Sequence, residues 1–119
     1  MKQNDTTVKQ LASINQLKTV LDYVRSHYAE PVTLKELADI ACMSPTYFCR
    51  YFHQEMGKTP FAFLNEYRIK KSAILLDGSS LSVSDIAVNC GFDNISYFIH
   101  KFKEYQGVTP KKYRSRIEG

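Results

Sequence analysis

Residues 34–60, LKELADIACMSPTYFCRYFHQEMGKTP, return in altered form as residues 83–110, VSDIAVNCGFDNISYFIHKFKEYQGVTP. Leu34-Lys35-Glu36-Leu37-Ala38 corresponds to Val83-Ser84-Asp85-Ile86-Ala87, 49 positions on. Tyr47-Phe48 recurs as Tyr97-Phe98, Phe52 as Phe102, Gly57 as Gly107 and Thr59-Pro60 as Thr109-Pro110, each 50 positions on. The change of offset places one extra residue in the second copy, near Asp93-Asn94. Such self-similarity marks a duplicated supersecondary unit. Each copy reads as a short helix, a tight turn and a longer helix, which is a helix-turn-helix.

The capping chemistry supports those boundaries. Thr33-Leu34-Lys35-Glu36 has the form of a capping box, with Thr33 and Glu36 each accepting from the other's backbone N–H. The short helix that follows turns Leu34, Leu37, Ala38 and Ala41 inward. Ser44-Pro45 restarts a helix, serine as N-cap and proline at the first position, where no N–H is needed. Its inward stripe is expected to be Tyr47, Phe48, Tyr51 and Phe52, and Gly57 supplies the left-handed stop. Thr59-Pro60 opens a further helix reaching about Leu76, with Phe63, Leu64, Tyr67, Ala73, Leu75 and Leu76 for packing; Asp77–Ser80 is a loop. Upstream, Ile14, Leu17, Val20, Leu21, Val24 and Tyr28 mark one helical face ending near Glu30-Pro31. No segment sustains strand alternation. The expected fold is all-α: a tail or interdomain linker (1–12), a first helix-turn-helix subdomain (13–58), a linking helix (59–77) and a second subdomain (78–119).

Composition narrows the function classes. Apolar residues make up 44% of the 119, with eight tyrosines and seven phenylalanines, enough for packed cores. The net charge is +4, and residues 100–116 concentrate Lys101, Lys103, Lys111, Lys112, Arg114 and Arg116 against Glu104. That permits an anionic partner, although from charge alone a solvated basic surface is the favoured reading. No apolar run reaches the ~18 residues of a membrane span, and the N-terminus lacks a signal-peptide core. Three cysteines without a CxxC pair fit a reducing cytoplasm. The histidines His27, His53 and His100 are scattered, with no carboxylate pair, phosphate loop or nucleophile motif, so an enzyme is not expected. Cys49 and His53 stand four apart but lack further ligands; neither metal nor cofactor is expected. A helical protein-interaction module is the rival reading, and steep salt dependence of duplex binding separates the two.

The longer helix of each unit carries the features of a DNA reader. Both begin with polar residues, and in this motif the N-terminal part of the second helix enters the major groove. With Phe48 and Phe52 inward, Thr46, Cys49, Arg50 and His53 project elsewhere; with Phe98 and Phe102 inward, Ser96, Ile99, His100 and Lys103 do so. Arg50 can donate two hydrogen bonds to guanine O6 and N7. Ile95 and Ile99 either extend the core stripe or meet thymine methyl groups, and groove exposure is the expectation for both. Base-reading candidates are therefore Thr46, Cys49, Arg50, Ile95, Ser96, Ile99 and His100. Candidates for the phosphate backbone are Ser44, His53, Asn94, Lys101, Lys103, Lys111 and Arg114. A linking helix of ~24 Å can hold two readers in successive grooves ~34 Å apart.

Ser82–Ala87, Cys90-Gly91-Phe92, Ser96-Tyr97-Phe98, Phe102-Lys103, Gly107–Pro110 and Tyr113-Arg114 together resemble the DNA-binding domain of the AraC/XylS family of bacterial transcription regulators. Ser44–Phe48, Arg50 and Phe52 match it in the first unit, and the likeness covers residues 14–115. The resemblance implies about seven helices and sequence-specific double-stranded DNA binding that regulates transcription. It places Thr46, Cys49 and Arg50 in one groove and Ile95, Ser96, Ile99 and His100 in the next. It also implies an N-terminal effector-binding or dimerisation domain outside this chain, and RNA polymerase as a further partner. The chain is accordingly expected to be the DNA-binding part of a larger regulator. Because Ile95, Ile99 and His100 stand where polar or basic residues are frequent, specificity is expected to weigh toward the first unit.

Overall fold

The computed structural model describes the backbone of residues 2–118 and the side-chain surroundings of residues 11–116. It contains α1 (Lys2–His27), α2 (Leu34–Ile40), α3 (Pro45–Met56), α4 (Pro60–Gly78), α5 (Val83–Asn89), α6 (Ile95–Gln106) and α7 (Pro110–Glu118). No strand occurs among the described residues. The chain divides into two units: one runs through His27 and from Val32 to Phe61, the other takes Tyr28–Pro31 and the chain from Ala62 onward. The duplicated segments fall one in each. The expected linking helix is α4, which leaves the first unit after Phe61. The backbone of α1 begins at Lys2, and the side chains of most of the segment read as a tail, 1–12, lie outside the described residues.

Helix starts follow the side-chain chemistry. Thr33 is extended, and its Oγ1 accepts from the Glu36 N–H at 3.1 Å. The return half of the box is replaced: the Glu36 carboxylate accepts from Tyr23 Oη at 3.1 Å, tying α2 to α1. Ser44, Ser82 and Asn94 cap α3, α5 and α6 by accepting from the N–H three residues on, at 3.3, 3.0 and 2.9 Å. Gly57 and Gly107 close α3 and α6 at φ 74° and 82°.

The turn inside each unit repeats bond for bond. Met43 N–H donates to the Ala38 carbonyl and Phe92 N–H to the Ala87 carbonyl, both at 2.9 Å. Cys42 N–H donates to Asp39 (3.0 Å), Gly91 N–H to Val88 (3.1 Å). This is the Schellman arrangement, which requires a left-handed residue after the helix. Gly91 occupies that position at φ 94°; in the first unit Cys42 takes it at φ 59°.

In the first unit Val20, Val24, Leu37, Ala38, Ala41, Phe48, Tyr51 and Phe52 are buried. Ile14, expected on the inward face of α1, is 60% exposed, and Tyr47 is 56% exposed. Tyr47 lies ~100° around the helix from Phe48, on the far side from Phe52, so the stripe centred on Phe48 leaves it at the edge. Its repeat partner Tyr97 is 45% exposed for the same reason.

In the second unit Ile69, Leu76, Ile86, Ala87, Phe92, Phe98 and Phe102 form the core, with Leu75, Ile99 and Tyr113 packed against it. Two arginines pin loop backbone there. Arg68 Nε donates to the Tyr28 carbonyl (2.7 Å) and Nη2 to that of Glu30 (3.0 Å). Arg114 donates to the carbonyls of Leu76 (3.3 Å), Ser79 (3.2 Å) and Leu81 (2.6 Å). Each guanidinium satisfies carbonyls that a helix end and the following loop leave open. Burial lowers the pKa of Arg68, with Asp93, Tyr97 and Cys90 opposing that shift.

Candidate nucleic-acid interface

The Ser44 cap and Pro45 fix where α3 starts, and the burial of Phe48 and Phe52 fixes its rotation. Thr46, Arg50 and His53 are then exposed and Cys49 is half-buried. Tyr51 locks the helix to α1: its hydroxyl donates to the Ser13 carbonyl and accepts from Ser13 Oγ at 2.8 Å. Cys49, Arg50, His53, Gln54 and Thr59 line an open depression of ≈ 520 Å³. On its other side Arg50 borders a smaller hollow of ≈ 270 Å³, shared with Ser13, Tyr47, Tyr51, Gln54 and Glu55. The Arg50 guanidinium has no hydrogen bond or ion pair among the described residues. Its five donors therefore stay open to a planar acceptor.

The longer helix of the second unit differs. Asn94 caps α6, and Ile95, Ser96 and His100 are exposed. Ile99, expected to face outward, is half-buried against Phe98 and its neighbours, because it lies only ~60° around the helix from Phe102. Tyr97 Oη accepts from Asn65 Nδ2 at 3.1 Å, and Tyr105 Oη donates to the Ala62 carbonyl at 3.3 Å, so α6 is bonded to α4. The Lys101 ammonium lies 5.6 Å above the Tyr97 ring and donates to Glu104 Oε2 at 3.3 Å. The same carboxylate oxygen lies 4.0 Å from His100 Nε2. The hydrogen bond to Glu104 raises the Lys101 pKa.

The expected backbone contacts separate into two groups. His53, Lys103 and Lys111 are exposed. Ser44 and Asn94 use their side-chain oxygens as caps, and Lys101 is held by Glu104. Arg114 stands apart: its guanidinium donates to three carbonyls at the end of α4 and in the loop that follows. A charge count of the C-terminal segment could not distinguish it from Lys111. Sequence reasoning also missed Tyr47 and Tyr97 as outward residues. Their place at the third position of each helix, at the edge of the aromatic stripe, was the available signal.

Among the described residues no three His, Cys, Asp or Glu side chains converge as metal ligands, and no helix is long and apolar enough to cross a membrane. Cys90 is buried, and burial pushes its thiol up to about 11.

A family model described as a helix-turn-helix domain matches residues 37–116. The HTH-type transcriptional regulator YdeC of Bacillus subtilis is 35% identical over 100 residues, which are 84% of this chain and 34% of that protein. Among solved structures, the C-terminal domain of the response regulator yesN from Fusobacterium nucleatum has a TM-score of 0.79 at 31% identity, covering 84% of this chain and 98% of that one. The DNA-binding domain of AdpA, solved in complex with a target DNA, has a TM-score of 0.78 at 28% identity, covering 85% and 90%. The chain spans about a third of the length of the curated relatives it matches.

Proposed function

Because the chain belongs to the AraC-type helix-turn-helix family, we propose that it binds double-stranded DNA sequence-specifically and regulates transcription, with α3 and α6 as its two readers. The observation that carries this reading is the Arg50 guanidinium, exposed and unengaged on a helix whose start and rotation are fixed by a cap and two buried phenylalanines. Such a fork pairs bidentately with guanine O6 and N7, worth about 1–3 kcal/mol of discrimination. Thr46 and Cys49 read beside it, with His53 toward the phosphates. On α6, Ile95 offers an apolar surface to a thymine methyl, and Ser96 and His100 offer polar groups; Ile99 contributes through its exposed edge. Lys103 and Lys111 contact phosphates. The solved AdpA–DNA complex supports the choice of partner.

The greater length of the relatives supports placing this chain as the DNA-binding part of a longer regulator. Its family membership is the basis for reading that regulator as effector-responsive, at work in the cytoplasm and in contact with RNA polymerase. Selection of bound duplexes from a random pool tests the reading. Two short, non-palindromic half-sites about 10 base pairs apart are expected. Recovery of no enriched sequence would contradict it.

A further inference from the structure

The two readers carry opposite electrostatic arrangements. With the repeat offset of 50, His100 corresponds to Arg50, Lys101 to Tyr51 and Glu104 to Gln54. On α3 the cation is unengaged and its neighbour one turn on, Gln54, is neutral. On α6 a carboxylate stands in that place. Its Oε2 accepts from Lys101 at 3.3 Å and lies 4.0 Å from His100. The Lys101 side chain is 24% exposed, whereas those of Glu104 and His100 are 50% and 76% exposed. The ammonium is held from two sides, by the carboxylate and by the Tyr97 ring at 5.6 Å, and Asn65 fixes that ring through its hydroxyl.

We propose that Glu104 is an internal counter-ion that weakens the hold of the second reader on phosphate, and so tunes how far the chain relies on α3 for sequence. The inference rests on the DNA-binding reading above. The carboxylate occupies the one cation of α6 that packs on Tyr97, and adds a negative charge one turn beyond the groove-facing position of His100. Phosphate must compete with it for Lys101. Sequence-independent affinity, which is set by the number of phosphates neutralised, is thereby reduced. Base contacts made by Arg50 then account for a larger share of total binding.

The test uses the whole chain and a mixed-sequence duplex of about 20 base pairs, two helical turns. Glu104→Gln keeps the shape and removes the charge. It should tighten binding roughly threefold or more at ~0.1 M salt and steepen the log K against log salt slope by about 0.9, one phosphate. Lys101→Met should weaken binding more in the Glu104→Gln background than in the parent, since Lys101 reaches phosphate only when freed. Asp77→Asn, on exposed α4 surface, matches the change in net charge and should give the smaller effect. An unchanged affinity and slope for Glu104→Gln, an equal loss from Lys101→Met in both backgrounds, or an equal gain from Asp77→Asn would overturn the proposal. If the parent chain binds no duplex even at ~50 mM salt, the DNA-binding reading falls and this inference with it. Parent binding with an inert Glu104→Gln overturns this inference alone.

Discussion

Gly91 is the most closely enclosed of the described glycines. It sits at φ 94°, and a Cβ there would lie 2.6 Å from the Tyr28 carbonyl oxygen and 2.8 Å from Arg68 Nε. That carbonyl cannot withdraw without breaking its bond to Arg68. Gly91→Ala should therefore cost about 2–4 kcal/mol, combining left-handed strain with overpacking, as read by denaturant melts. Cys42 holds the same turn position with a side chain that is exposed, so Cys42→Gly should raise stability by up to about 1 kcal/mol. Thiol labelling gives a second check on single residues. Cys42 is exposed, Cys49 half-buried and Cys90 buried with its pKa near 11, so at neutral pH labelling should follow that order, with Cys90 silent until unfolding. Bound duplex should protect Cys49 and leave Cys42 reactive. Much of this was hidden in the sequence. Arg114 looks like one more basic residue until its three carbonyl partners are seen, and they lie 33 to 38 positions away. Ile99 differs from Ile95 only by its angle to the core.

The helices themselves were legible, because their signals are local. Serine or threonine before proline, glycine at the stop and a duplicated aromatic pair define α3, α4, α6 and α7 without reference to the rest of the chain. Ser44→Ala and Asn94→Ala should each cost about 1 kcal/mol, the usual value of an N-cap. Because each cap also sets the start of a reader, DNA affinity should fall with stability. Arg114→Met separates packing from phosphate contact: it should lower the melting temperature and leave the salt slope of DNA binding unchanged. A slope shallower by about 0.9 would instead place Arg114 on a phosphate. What the local signals could not supply was the return partner of Glu36. A capping box predicts its own backbone, whereas the structure gives the carboxylate to Tyr23 on α1, 13 positions away. Helix rotation was also under-determined, since an aromatic stripe of Tyr47, Phe48, Tyr51 and Phe52 is wider than the face that packs.

For the molecule as a whole, the internal repeat was the decisive feature of the sequence, since residue identities alone specify two units of one design. The units share the turn geometry, the places of the caps and the buried pairs Phe48/Phe52 and Phe98/Phe102, and differ in what they present outward. The first presents an unengaged arginine; the second presents isoleucine, serine and a histidine beside a neutralised lysine. That difference supports our proposal that DNA recognition rests mainly on α3. The most direct measurement is the affinity of the parent chain and of Arg50→Ala for a selected duplex and for a scrambled one, each across a salt series. Arg50→Ala should lose about 1–3 kcal/mol on the selected duplex and little on the scrambled one, with the salt slope kept. An equal loss on both duplexes with a shallower slope would contradict it, by making Arg50 a phosphate contact rather than a reader of sequence.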